Sequence, residues 1–277
     1  MKPNIQPPKK NPLNALEDNL KQLREMELPG EAGALVEETI EQLEQARQEK
    51  AAFVSTVAHE LRIPMTSIMG YTDLLKKGAI GEVNAQQLDF LTVIRENVGR
   101  MAKLVADLSD IYKAESGRLH LDIETVSLRE AVDRGLEQAA SYLNGRSEGA
   151  AVLVPEDLPA VRADTSRLAQ IVAYLVENAA LYSGPDQPIT VRAELDAGGE
   201  FVRLMVGDEG IGVQEEDQTH IFTQFFRSEV EEVRAHKGWG LSLSLVKSLA
   251  ELSGGKAGFE TEQGLGSTFW VALPVVR

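Results

Sequence analysis

The chain has 277 residues, 43% of them hydrophobic, and a formal charge of −15. That length suits more than one compact unit, and the acidic balance repels phosphate backbones, which argues against general nucleic-acid binding. No apolar run nears the ~18 residues of a membrane-spanning helix, residues 1–10 lack the apolar stretch of a secretory signal, and the absence of cysteine excludes disulfides and thiolate metal sites and suits a reducing cytoplasm.

Residues 1–12 are rich in proline and lysine and read as a flexible tail. A short helical pattern over 13–28 stops at Pro29-Gly30. From Glu31 a long helix is predicted. Val36, Ile40, Leu43, Ala46, Phe53, Val57 and Leu61 recur along it at three- and four-residue steps beside Glu37, Glu41 and Glu44. So narrow a stripe signals a coiled-coil seam rather than burial on a globular core. The pattern passes Pro64, where a kink is expected, and runs to about Lys77. Gly78–Asn84 punctuates. A second helix is predicted over Ala85–Glu115, with a stripe that includes Leu88, Leu91, Ile94, Val98, Met101, Leu104, Leu108 and Ile111. Two such helices make a hairpin that cannot bury both stripes alone, so a second copy of the chain is expected to complete a dimeric four-helix bundle.

After Gly117 the period changes. Leu119, Leu121 and Ile123 alternate with polar residues, as in a strand. Ser127 and Glu130 have the spacing of a capping box, opening a helix to about Leu143. A strand over Ala151–Val154 and a helix over Ser166–Leu181 follow. Strands are predicted at Ile189–Leu195 and Phe201–Val206, a helix at Leu241–Leu252 ended by Gly254-Gly255, and closing strands at Lys256–Glu262 and Thr268–Leu273. The expected fold class is α plus α/β: the helical hairpin, then an α/β sandwich with one mixed sheet and one helical layer. The expected domains are a tail (1–12), a signalling helix (13–50), the hairpin (51–116) and the sandwich (117–277).

Several segments carry chemistry. His59 faces outward on the long helix, with Glu60 beside it. An imidazole attacks phosphorus through one ring nitrogen while a neighbouring carboxylate accepts the proton on the other. Alone, such a pair also fits a plain surface histidine. Asn178, in Glu177-Asn178-Ala179, offers an amide oxygen suited to Mg2+, and equally suits a helix end near Ser183-Gly184. Asp208-Glu209-Gly210-Ile211-Gly212 follows a predicted strand. An aspartate there can accept the exocyclic amine of adenine, and glycines let the backbone approach a flat base, although Gly-x-Gly is often only a turn. Ile221–Arg227 brings three phenylalanines, which fit a lid support or a plain core. Gly238-Trp239-Gly240-Leu241-Ser242 opens a helix whose first amides suit phosphate.

In this order, from Phe53 to Leu273, these segments resemble the H, N, G1, F and G2 boxes of sensor histidine kinases, with Gly264–Phe269 similar to the closing glycine box. The resemblance implies a dimerisation and phosphotransfer hairpin followed by a Bergerat-type ATP-binding domain. It implies His59 and Glu60 as catalytic residues and Asn178 as the Mg2+ ligand. It implies ATP contacts from Asn178, Tyr182, Asp208, Gly210, Gly212, Gly238, Gly240, Leu241, Ser242 and Thr268, under a mobile lid at Ser228–Lys237. The implied reaction moves a phosphoryl group from ATP to His59, then to an aspartate on a response regulator receiver domain. The implied partners are that receiver, a second copy of the chain, and a separate sensor or input protein feeding the leading helix.

Five positions depart from the family pattern. Ile63 stands for a Thr or Asn associated with phosphatase activity, Tyr174 for an asparagine, Leu181 for a basic residue near the phosphates, Glu209 for an asparagine and Ser242 for a glycine. They keep a second reading open, a catalytically weak or inactive pseudokinase acting as a dimeric signalling scaffold. A third, another Bergerat-fold ATPase, needs a water-activating carboxylate. It leaves the His59 hairpin unexplained, and Glu177 points differently from Asn178.

Overall fold

The structure is a computed structural model, and it describes residues 19–20, 22–24, 26, 30–147 and 149–276. The expected tail and most of the expected helix over 13–28 lie outside the described residues. The chain forms two compact units, one ending at Leu119 and one running from His120.

The first unit is a hairpin of α1 (Glu31–Lys76) and α2 (Ala85–Glu115). Asn84 caps α2: its side chain accepts from the Gln87 amide while the Gln87 side chain accepts from the Asn84 amide. That reciprocal box satisfies two otherwise orphan donors and fixes where the helix starts. Ala51, Ala58, Met65 and Thr72 of α1 are buried at a strict seven-residue interval, the spacing of a packed helical seam. Arg95 donates to Asp73 at 2.6 Å and Lys76 to Thr92 at 3.0 Å, while Lys50 sits over the Tyr112 ring. These cross-links set an antiparallel register along the whole hairpin. The helix continues through Pro64, which cannot donate to the Glu60 carbonyl. Just beyond it, Thr66 and Ser67 bond their hydroxyls back to the carbonyls of Arg62 and Ile63.

The second unit begins with β1 (Glu124–Val126), α3 (Leu128–Leu143), β2 (Ala150–Leu153), β3 (Val161–Ala163) and α4 (Thr165–Tyr182). It continues with β4 (Ile189–Leu195), β5 (Phe201–Asp208), α5 (Glu215–Gln218), α6 (Glu231–Ala235), α7 (Ser242–Leu252), β6 (Lys256–Glu262) and β7 (Gly266–Pro274). The main sheet has the order β2-β4-β5-β7-β6, with β2 parallel to β4 and the other pairs antiparallel. Val202, Leu204 and Val206 of β5 and Phe269, Val271 and Leu273 of β7 are buried at period two. They share a core with α4, whose run from Leu168 to Val176 is buried apart from Gln170, and with Leu245, Val246 and Leu249 of α7. Each such side chain contributes about 1.5–3 kcal/mol on leaving water. In α3, a Cβ on Gly135 would stand 2.5 Å from Val172, so glycine there permits the close crossing of α3 over α4. The hairpin and the mixed-sheet sandwich agree with the expected fold class.

Two local expectations are corrected. Residues 119–123 form no strand. The amides of Arg118 and Leu119 turn back to the Lys113 carbonyl around Gly117, and the Asp122 amide goes to the Asp164 carboxylate. Pairing begins only at Glu124, opposite β3, a strand that the sequence reading left out. Ser127 does precede α3 but makes no side-chain capping bond, and the Glu130 carboxylate is taken by Arg134 one turn on. Among the described residues no helix is long and apolar enough to cross a membrane.

Candidate functional site

His59 and Glu60 are both exposed on α1. Each helical residue turns about 100°, so His59 lies about 100° round from the buried seam at Ala58. Phe53, Val57, Leu61, Ile68 and Tyr71 form an exposed apolar stripe on the other flank, and α2 exposes Phe90, Ile94 and Met101. His59 is about 150° round from the α1 stripe at the same turn per residue. A partner seated on that stripe leaves the imidazole open to solvent.

In the second unit Asn178, Tyr182, Asp208 and Gly210 gather around the end of α4. Asp164 starts that helix by accepting from the Ser166 and Arg167 amides. At its other end Asn178 and Tyr182, four residues apart, share one face, and both are half-buried. The Tyr182 carbonyl accepts from the Ile211 amide at 3.1 Å, tying α4 to the turn after β5. Asp208, the last residue of β5, accepts from the Gly210 amide at 2.8 Å. A Cβ on Gly210 would stand 2.1 Å from the Tyr182 carbonyl oxygen, and one on Gly212 would stand 2.3 Å from the Glu262 carbonyl oxygen. Both positions therefore demand glycine, and Gly212 also has a left-handed φ of 66°. Thr268 lies opposite Gly207 across the β5–β7 ladder, beside Asp208.

Burial pushes the Asp208 carboxyl above its ordinary value of 3.8, against the lowering pull of the Gly210 and Ser267 amides and of the Arg146 charge. Burial likewise raises the Tyr182 hydroxyl, opposed by Arg227.

The segment Ser228–Lys237 is organised around Arg227, whose guanidinium donates to the carbonyls of Val233, His236 and Gly238. The His236 ring meets the Tyr182 ring edge-on at 5.8 Å, which joins this segment to the end of α4. Of the three phenylalanines, Phe222 is buried beside Phe259 and Phe226 stands against His220, but Phe225 is exposed. It adopts a left-handed φ of 61° and bonds its amide to the Gly240 carbonyl. Gly240 is required in turn, since a Cβ there would stand 2.3 Å from the Phe226 carbonyl oxygen. Leu241 buries its side chain and leaves only its backbone to a ligand, while Ser242 supplies the first amide of α7. A Cβ on Gly238 would meet nothing within 4 Å.

Sequence reasoning missed Arg146, whose guanidinium reaches the end of α4 from the loop after α3. The only local signal was a lone cation just past a helix-ending Asn144-Gly145. Among the described residues no cluster of three or more His, Asp or Glu suits a metal ion.

Residues 49–117 match the family described as the His Kinase A (phospho-acceptor) domain. Residues 163–277 match the histidine kinase-, DNA gyrase B- and HSP90-like ATPases. The chain thus joins a phosphoacceptor hairpin to an ATPase-type sandwich, and it belongs to the sensor histidine kinase family of two-component systems. It is 34% identical over 232 residues to the sensor protein DivL of Caulobacter vibrioides, which covers 84% of this chain and 29% of that one. It is 33% identical over 231 residues to the histidine protein kinase DivJ of the same species, covering 82% of this chain and 38% of that one. GacS of Pseudomonas syringae is 32% identical over 255 residues, 87% of this chain and 28% of its own. The chain therefore spans only about a third of the length of these relatives. The crystal structure of full-length ShkA in complex with AMPPNP superposes with a TM-score of 0.67 at 26% identity, over 82% of this chain and 46% of that one.

Proposed function

We propose that this protein is a histidine kinase that moves the γ-phosphoryl group of ATP to His59 and from there to an aspartate of a response regulator receiver domain. The connected glycine cradle carries this reading: the Tyr182 carbonyl, the Gly210 turn and the half-buried Asp208 carboxylate form one bonded unit. An ionised carboxylate has about four acceptor sites, so Asp208 keeps capacity for the exocyclic amine of adenine beyond its bond to Gly210. Gly210 and Gly212 let the turn after β5 close against the Tyr182 and Glu262 carbonyls, and the ShkA complex with AMPPNP supports a nucleotide in such a fold. Asn178 would hold Mg2+, which supplies charge neutralisation among the phosphates. The Ser242 amide at the start of α7, with Gly238 and Gly240 before it, suits the phosphate chain.

At the other site one His59 ring nitrogen bonds to phosphorus as the bond from phosphorus to the bridging oxygen breaks, and the electron pair leaves with ADP. Glu60 accepts the proton of the second ring nitrogen and so raises the nucleophilicity of the first. The phosphoryl group then passes from nitrogen to a receiver carboxylate. The reading includes a homodimer through the exposed stripes of α1 and α2, and a cytoplasmic setting that suits a chain without cysteine.

Incubation with γ-labelled ATP tests it. Wild type is expected to acquire an acid-labile, base-stable label that His59→Gln abolishes while ATP binding persists. Label that survives His59→Gln places the acceptor elsewhere. A dimeric, ATP-binding wild type that takes no label favours the scaffold reading, to which Leu181 at an expected phosphate contact lends weight.

A further inference from the structure

Arg146 lies outside every motif of the chain, yet it grips the end of the helix that carries Asn178 and Tyr182. Its Nη1 donates to the Ala180 carbonyl at 3.2 Å. Its Nη2 lies 2.8 Å from the Ser183 hydroxyl, 2.7 Å from the Gly184 carbonyl and 2.8 Å from the Gln187 carbonyl. These acceptors are the last turn of α4 and the loop that leads to β4. A helix C-terminus leaves carbonyls without intrahelical partners and carries partial negative charge. The last turn of α4 contains no basic residue of its own. Arg146 supplies the missing cation from another element, and its planar fork binds several carbonyls at once, as an ammonium cannot.

The grip extends into the cradle. One residue separates the Ala180-bonded turn from Tyr182, whose carbonyl holds the Ile211 amide. Gly210 sits against that same carbonyl oxygen too closely for any Cβ, and its amide holds the Asp208 carboxylate. Contact is thus continuous from the guanidinium through the end of α4 and the Gly210 turn to Asp208. We propose that Arg146 is a positioning residue for base recognition. It fixes the last turn of α4, and through the Tyr182 carbonyl and the Gly210 turn it aims the Asp208 carboxylate at the exocyclic amine of a 6-aminopurine. The proposal rests on Asp208 accepting adenine, as set out above. It adds that base selectivity, not only affinity, depends on a residue outside the nucleotide motifs.

Calorimetric titration of the full chain with Mg-ATP and Mg-ITP separates the possibilities. Inosine carries a carbonyl oxygen where adenine carries its amine, and two facing acceptors cannot pair. Wild type is expected to prefer ATP by about ten- to a hundred-fold. Arg146→Gln should lose about ten-fold in ATP affinity and little in ITP affinity, so that the ratio falls towards one. Arg146→Lys keeps the charge but not the fork, and should fall between them. If Arg146→Gln does not fold, as read from its melting curve, Arg146→Lys carries the test alone. A variant that keeps the wild-type ratio, whether or not both affinities drop together, overturns the positioning role and leaves Asp208 recognition standing. A wild type that binds no nucleotide, or does not distinguish ATP from ITP, overturns the reading of Asp208 and this proposal with it.

Discussion

Gly210→Ala is a small change with a large expected effect. The new Cβ would start 2.1 Å from the Tyr182 carbonyl oxygen and 2.8 Å from Asp208 Oδ1. Neither neighbour is the far end of a flexible chain. Real contacts of this kind stay beyond 3.0 Å, so the turn must retreat by about 0.9 Å from a carbonyl fixed at the end of α4. Such a retreat breaks or stretches the Ile211–Tyr182 bond and the Gly210–Asp208 bond together. Two net hydrogen bonds come to about 1–3 kcal/mol, the usual range for overpacking as well. In a domain of this size that corresponds to a melting point lower by about 2–12 °C. Losing the aim of Asp208 forfeits a charge-assisted contact, or about ten- to a hundred-fold in ATP affinity. Thermal melts and ATP titrations read both. The control is Gly70→Ala on α1, where an added Cβ meets nothing within 4 Å. It should stabilise the helix by about 0.5–1 kcal/mol and leave ATP binding alone. Gly210→Ala protein that binds ATP with wild-type affinity would refute the cradle.

Asp208→Asn should separate stability from binding. Burial raises the folded-state value of this carboxyl above 3.8, so its stabilising contribution is complete below that value and is lost as pH rises through the raised one. At neutral pH the asparagine variant should therefore melt no lower than wild type, with its advantage shrinking towards about pH 4, while ATP affinity falls at least about ten-fold; a variant that melts well below wild type at pH 7 contradicts this. Leu181→Lys should improve Mg-ATP affinity by about ten-fold by restoring a charged phosphate contact, and titration showing no gain removes Leu181 as a cause of weak binding. Light scattering at micromolar concentration should give twice the 30.3 kDa chain mass, and Ile94→Glu, on the exposed stripe of α2, should shift it towards monomer; a monomeric wild type ends the bundle proposal.

Elements whose signal repeats within a few turns were legible in the sequence. The apolar period after the Gly78–Asn84 break places α2 at Ala85–Glu115, and alternation places β4 at Ile189–Leu195. Gly210, Gly212 and Gly240 were legible as chemistry, and each permits a specific close backbone approach. Features that depend on distant partners were not. A three-residue strand such as β3 carries too little pattern to stand out until β1 pairs with it. The Ser127–Glu130 spacing is correct for a capping box, but Arg134 competes for the glutamate, and no local rule ranks the two bonds. Nothing near Arg146 in sequence points to carbonyls about forty residues on. Arg227 sits in a recognisable string, yet its three carbonyl acceptors within the following segment emerge only from the fold.

The five departures from the family pattern are not equivalent once they are placed in the fold. Tyr174 is 4% exposed, and its hydroxyl accepts from Gln170 at 3.2 Å. It is buried in the core of its unit, and asparagine there would leave a cavity and a buried amide, at a cost of about 3–5 kcal/mol by the scale for aromatic truncation. Tyr174 is thus coupled to the packing of its own core, and restoring the family residue would harm the fold before it helped a metal. Ser242 keeps the backbone amide that matters at the start of α7. Glu209 and Ile63 are exposed and disturb no packing. Only Leu181, half-buried at the end of α4, exchanges a charge for apolar surface beside the cradle. One lost cation weakens phosphate binding without dismantling it, whereas the Tyr182, Gly210 and Asp208 unit has geometric demands that a scaffold with no nucleotide has no reason to meet. That contrast supports a weak but working nucleotide site over an abandoned one.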